Sequence, residues 1–187
     1  MFRMDLLGEI YSLMAGPPRP DPGPKALLQV LAEAVYFPLS RVMVDLEDAE
    51  LAWAPVPEAK TIGWVPTGHD PKTDPFTTIG WRWAHFNEEL HGIATFEICL
   101  GPETSPWPEP VPVIVDAASA ITNLEAGILR AARAIAETTD ARLDEEVENE
   151  FGRHTRRHWV AMFLMEATHH AAEIGILRDL YRRRTQS

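Results

Sequence analysis

The chain has a single cysteine, Cys99, among 187 residues. That excludes an intramolecular disulfide and any metal site built on several thiolates. Cys99 lies in the apolar run FEICL, a setting that suits a small buried hydrophobe better than a nucleophile. No stretch reaches the ~18 consecutive apolar residues of a membrane span. Cations are scarce: Lys and Arg number 17 against 28 Asp and Glu, a formal charge of −11. Such a balance opposes the phosphate-neutralising contacts on which nucleic-acid affinity rests. The local basic clusters, Arg153 with Arg156 and Arg157, and Arg182 to Arg184, flank the last helical stretch and do not reverse that reading. There is no glycine-rich phosphate loop, no internal repeat, no Ser–His–Asp spacing and almost no alternating strand pattern. The opening MFRMDLLGEIYSLMAG carries acidic residues inside its apolar stretch, so it reads as a short amphipathic helix rather than a secretory signal. A soluble, cytoplasmic protein is the expectation.

What is present is helical periodicity. With 45% hydrophobic residues the chain can build one sizeable core, which makes residues 1–187 a single domain. A short N-terminal helix over residues 1–15 and a Pro/Gly linker to Pro24 precede a long helix over about 25–45, kinked at Pro38. Asp48 to Leu51 adds a helical turn. Residues 54–76 hold five prolines and read as a loop. Thr77 or Thr78 caps a second long helix running to about Leu100, with Ile79, Trp83, Phe86, Leu90 and Ile93 inward and His85 adjoining them. A Pro-rich loop over 102–112 leads to a third long helix over about 113–139. Residues 140–152 read as a connection, and Thr155 caps the last helix. Long amphipathic helices joined by Pro-rich loops imply an all-α bundle.

The last helix carries the chemical question. At a period of 3.6, Trp159, Phe163, Glu166, His170, Ile174, Leu177 and Tyr181 share a face, and two of these are polar. A carboxylate in a core costs roughly several kcal/mol unless a charge or hydrogen bond meets it. Glu166 and His170, four apart, can bind one ion, and His85, mid-helix among aromatics, is the best supply of a third ligand. Two histidines and a carboxylate leave open positions, as catalytic Zn²⁺ or Fe²⁺ sites require. The bland reading is a structural cluster in which Glu166 pairs with Arg82 or Arg130. Glu173 is an alternative ligand, a partner for Arg178, or an acceptor orienting His170. His169 falls on a flank, while His69, His91, His154 and His158 read as surface. A non-haem iron oxygenase is disfavoured because its usual β-scaffold is missing.

The stretches TIGWRWAHFNEELHG (Thr78 to Gly92) and EATHHAAEIGILRDLYRRR (Glu166 to Arg184) resemble the DinB-like superfamily, in particular its actinobacterial-type branch. The resemblance implies a four-helix bundle with a long crossover, here with an additional N-terminal helix. It implies a metal triad at one end, taken from a histidine on the second long helix and an H-x-x-x-H pair on the last. Carried over, the ligands are His85, Glu166 and His170, with glutamate standing where the pair has its first histidine. The metal would be a divalent Zn, Ni or Fe ion. Thiol-dependent transferases and isomerases of this family use mycothiol or bacillithiol, so the resemblance implies a metal-activated thiol or water acting on a small-molecule substrate. Glu173 would stand behind the ligands and Arg82 would meet an anionic part of the substrate. The rival reading is a non-enzymatic bundle with a structural polar cluster, acting in protein–protein interaction or stress response. A homodimer through exposed helix faces is compatible with either; nucleic-acid and membrane partners are not expected.

Overall fold

The computed structural model describes residues 8, 23–57, 59, 77–101, 114–149 and 152–184. The N-terminal helix expected over residues 1–15, the linker up to residue 22 and the loop over 102–112 therefore lie outside the described residues, Gly8 excepted. So does most of the loop over 54–76.

The first helical body is continuous but not uniform. It consists of α1 (Gly23–Val30), a π-helical segment (Leu31–Tyr36) and α2 (Phe37–Val42). Pro38 lacks the amide that an α-helix would use, and its ring presses on the preceding turn. The chain answers by widening that turn, so that the Phe37 amide donates to Ala32 O, five residues back. Pro38 is thus accommodated inside the helical body rather than ending it. The turn expected at Asp48 is α3 (Asp48–Leu51).

Thr78, not Thr77, caps α4 (Ile79–Thr95): its Oγ1 accepts from the Trp81 amide at 3.1 Å. The helix stops five residues before the expected end at Leu100. Phe96 turns to extended backbone, and the Leu100 amide closes back on Ile93 O at 3.0 Å. The apolar run ICL misled the periodicity because the turn itself buries Cys99 and packs Ile98 and Leu100 against the core. Arg156, 4% exposed, donates to the carbonyls of Glu97 and Cys99 there. A Cβ on Gly101 would stand 2.2 Å from Thr95 O, so only glycine permits so close a turn. Cys99 is fully buried, and burial pushes its thiol far up, with Arg156 opposing only in part.

The third long helix, α5 (Ala117–Glu137), begins later than expected because Asp116 and Ser119 form a capping box. Asp48 Oδ1 accepts from the Ala117 amide at 2.8 Å and ties α3 to that end. The connection over 140–152 holds structure the sequence reading missed: α6 (Asp140–Leu143) and an antiparallel hairpin of β1 (Glu146–Asn149) and β2 (Gly152–Thr155). The hairpin is charged and its strands are not fully buried on either face, so hydrophobic alternation could not reveal it. α7 (Arg156–Arg184) completes the described chain, with Thr155 Oγ1 accepting from the His158 amide at 3.2 Å.

Contacts fix the relative directions. Arg82 meets Glu173, His85 meets His170 and Phe96 meets Phe163, so α4 and α7 run antiparallel. Trp83 Nε1 donates to Ala120 O at 2.8 Å, while Gly127 faces Asn87 and His91, so α4 and α5 run parallel and need a crossover. Gly23 lies by Arg157 and Val42 by Gly175, which sets the first helical body parallel to α7. The core between them includes Leu31, Val35, Leu39, Trp83, Phe86, Leu124, Ile128 and Ile174. No helix of the described residues is long and apolar enough to cross a membrane.

The buried face of α7 is rotated from the expected stripe. Trp159, His170 and Ile174 are buried as expected, but Val160, Leu164, Ala167, Ala171 and Arg178 share that face. Glu166, Phe163, Leu177 and Tyr181 fall at its edges. Arg178 enters the core because Glu50, 2% exposed, meets it: Nε to Oε1 is 2.7 Å and Nη2 to Oε2 2.8 Å. The carbonyls of Val44 and Asp45 take further donors of the same guanidinium. Its partner is thus not Glu173.

Removing one member of a buried pair leaves the other charge uncompensated, at a cost of roughly 3–5 kcal/mol. Arg178→Met should therefore lower urea-unfolding stability by about that amount, whereas pairing it with Glu50→Met should restore most of the loss. Equal losses in the single and double variants would show that the pair does not hold α3 to α7.

Candidate metal centre

The site grows from the antiparallel packing of α4 on α7. On α4, His85 and Glu89 are one turn apart and so share a face. His85 Nε2 stands 3.5 Å from Glu89 Oε1. On α7, His170 projects from the buried face, its Nε2 3.7 Å from the same Glu89 oxygen. The rings of His85 and His170 meet edge to face at 5.0 Å. His85, Glu89 and His170 thereby place one potential ligand atom each within 4.8 Å of one another. The side chains of Glu89 and His170 are 9% and 4% exposed, that of His85 41%, so the cluster is closed within the bundle and open on the His85 side.

His170 is held from behind. Its Nδ1 donates to Glu173 Oε2 at 2.8 Å, and Arg82 Nε reaches that oxygen at 3.1 Å. With the Nδ1 proton committed to Glu173, the Arg82 Nη1 at 3.4 Å is a neighbouring charge and not a second hydrogen bond to the ring. Burial works against charge on His170, but the Glu173 hydrogen bond and the carboxylates of Glu89 and Glu173 outweigh it and raise its pKa to about 9. Glu173 moves oppositely: burial would raise it, yet His170 and Arg82 together hold it below the usual carboxylate value. At 3.7 Å the Nε2 approach to Glu89 is too long for a hydrogen bond, so Glu89 acts on His170 through charge.

The residues named from sequence are only partly brought together. His85 and His170 meet. Glu166 does not join them: its side chain is 39% exposed, its Oε2 lies 3.8 Å from Nδ1 of the exposed His169, and it is in neither cluster of potential ligands found among the described residues. The second cluster, His169, His170 and Glu173, shares His170 with the first and lies toward solvent. Arg82 and Glu173 stand beside His170 and pair with each other, so Arg82 is not the partner of Glu166, while Arg130 on α5 acts on His91. Glu89 was missed, although its signal was available: His85-x-x-x-Glu89 has the same four-residue spacing as Glu166-x-x-x-His170. His91, expected at the surface, is 5% exposed, and burial followed by the Arg130 charge lowers its pKa.

The donor set fits a divalent cation. Glu89 Oε2 and His170 Nε2 are buried and have no hydrogen-bond partner, which is costly, and a cation that displaced the Nε2 proton would meet both residues. Two imidazoles and one carboxylate, with one side open, suit Zn²⁺ or a comparable transition metal.

The raised pKa has a consequence for metal-free protein. A group with a folded pKa above its unfolded value stabilises the fold fully below the unfolded value, ~6.5 for histidine, and loses that contribution as pH rises through the folded one. NMR titration of chelator-treated protein should find His170 titrating near 9, with thermal stability declining from neutral pH toward that point. Glu173→Gln should bring the titration down; a histidine titrating near 6.5 in both forms would contradict the geometry.

A family model described as the DinB superfamily matches residues 31–174. No curated protein and no solved structure matches the chain. The matched span covers most of the chain and holds Arg82, His85, Glu89, His170 and Glu173, and the chain belongs to the DinB superfamily.

Proposed function

We propose that the protein is a metal-dependent enzyme whose divalent ion is held by His85, Glu89 and His170. The observation that carries this reading is the convergence of His85, Glu89 and His170 within 4.8 Å of one another, in a pocket where Glu89 Oε2 and His170 Nε2 are buried without a hydrogen-bond partner. A bound divalent ion lowers the pKa of a coordinated water or thiol and so supplies a nucleophile at neutral pH.

The protein's own residues do the rest. Glu173 fixes the His170 ring and its Nδ1 proton, which leaves Nε2 facing the site. Arg82 fixes Glu173 in turn and keeps a positive guanidinium at the margin, where an anionic part of a substrate would meet it. Trp81, its ring 5.2 Å from that of His85, backs the exposed ligand and offers an apolar surface beside the opening. A small molecule approaching from the His85 side would reach the open positions without disturbing the α4–α7 seam. The two motif stretches resemble a superfamily that includes thiol-dependent transferases and isomerases, and this favours a low-molecular-weight thiol, such as mycothiol, over water as the activated group.

One observation favours a structural role instead. In metal-free form, imidazolium His170 and Arg82 together already balance Glu89 and Glu173. The two readings differ in what a metal does. Isothermal titration with Zn²⁺, Ni²⁺ and Fe²⁺ should give one site per chain for the metal reading. His170→Ala and Glu89→Gln should each weaken it by about a hundredfold or more, and Glu173→Gln by roughly 10–100-fold, as for residues that orient metal ligands. Glu166→Gln should leave it within about twofold. If no metal binds stoichiometrically, the cluster is structural. If Glu166→Gln weakens binding as much as Glu89→Gln, the ligand set is the one the sequence pattern first suggested. Thiol-dependent turnover of electrophilic substrates, abolished by His170→Ala, would establish the reaction class.

A further inference from the structure

α4 carries a second set of buried polar atoms on the side away from the metal centre. Asn87 and His91, one turn apart, face α5 and are 0% and 5% exposed. Oδ1 and Nδ2 of Asn87 and Nε2 of His91 all lack a hydrogen-bond partner. One turn earlier on that face, Trp83 reaches α5 directly through Ala120 O. Opposite Asn87 and His91 stands Gly127. A Cβ there would lie 2.8 Å from Asn87 Oδ1 and 3.4 Å from His91 Nε2, so both side chains converge on one point of the α5 backbone.

Three orphaned polar atoms in one place would each cost about 1–3 kcal/mol. We infer that α4 and α5 enclose a bound water molecule, held by Asn87 and His91 beside Gly127. The donor set selects water. A molecule that both donates and accepts serves the amide oxygen, the amide nitrogen and the ring nitrogen in either tautomer. Three protein partners match the usual two to four of an internal water. One amide and one imidazole without a carboxylate or thiolate make a poor cation site, and neither residue is in a metal-capable cluster among the described residues. Gly127 has its role here: a methyl group in that position would press on Asn87 Oδ1 and crowd the shared point.

The full-length protein, crystallised to about 1.5 Å resolution, should show an ordered water within hydrogen-bond reach of both Asn87 and His91. A direct Asn87–His91 bond with no density between them would overturn the inference. In solution, melting of Asn87→Leu, His91→Leu and the double variant, all in chelator, reads the same site without involving metal. A shared water makes the two losses overlap, so the Tm drop of the double variant should be clearly smaller than the two single drops added together. Fully additive drops would count against a common ligand.

Discussion

A carboxylate or guanidinium can stay inside a protein only where opposite charge and hydrogen bonds meet it. Much of this molecule is arranged around that constraint. Arg178 enters the core because Glu50 and two carbonyls receive it, and this pins the turn at Asp48–Leu51 to the last helix. Arg156 does the same at the other end of α7, where it holds the carbonyls of Glu97 and Cys99 together with Glu145. Between these two anchors lies the α4–α7 seam, and the buried Glu89 sits there with two imidazoles in place of a guanidinium.

That substitution is what makes the cluster a candidate site and not a strut. A guanidinium satisfies both oxygens of a carboxylate by itself and leaves no room for an ion, as Arg178 does with Glu50. Imidazoles offer one nitrogen apiece, and the nitrogen left over can be committed elsewhere. In His170 the far nitrogen is spoken for by Glu173, itself tied to Arg82, and the near one is left facing Glu89. The exposure of His85 completes the arrangement by opening one side. α4 therefore works on two faces: His85 and Glu89 toward α7, Asn87 and His91 toward α5.

The long helices of the described residues, a cap at Thr77 or Thr78, the cap at Thr155 and the lack of a membrane-crossing helix among the described residues were legible because each depends on near neighbours in the chain. The errors share a cause. The end of α4 at Thr95 depends on Arg156, and the start of α5 at Ala117 is reinforced by Asp48, both remote in sequence. The hairpin over 146–155 has no apolar face to announce it. Periodicity also placed the buried face of α7 about one position out, since Arg178 could not be recognised as a core residue without knowing of Glu50.

The sequence by itself determined a helical chain, the family, and the suspicion that histidines and carboxylates meet inside it, since helical spacing and motif are local properties. It could not decide which carboxylate. Glu166 and Glu89 are both four residues from a histidine on their own helix, and that spacing is indifferent to rotation about the helix axis. Only the packing of α4 against α7 chose, by turning Glu89 inward toward both histidines and leaving Glu166 at the rim beside His169.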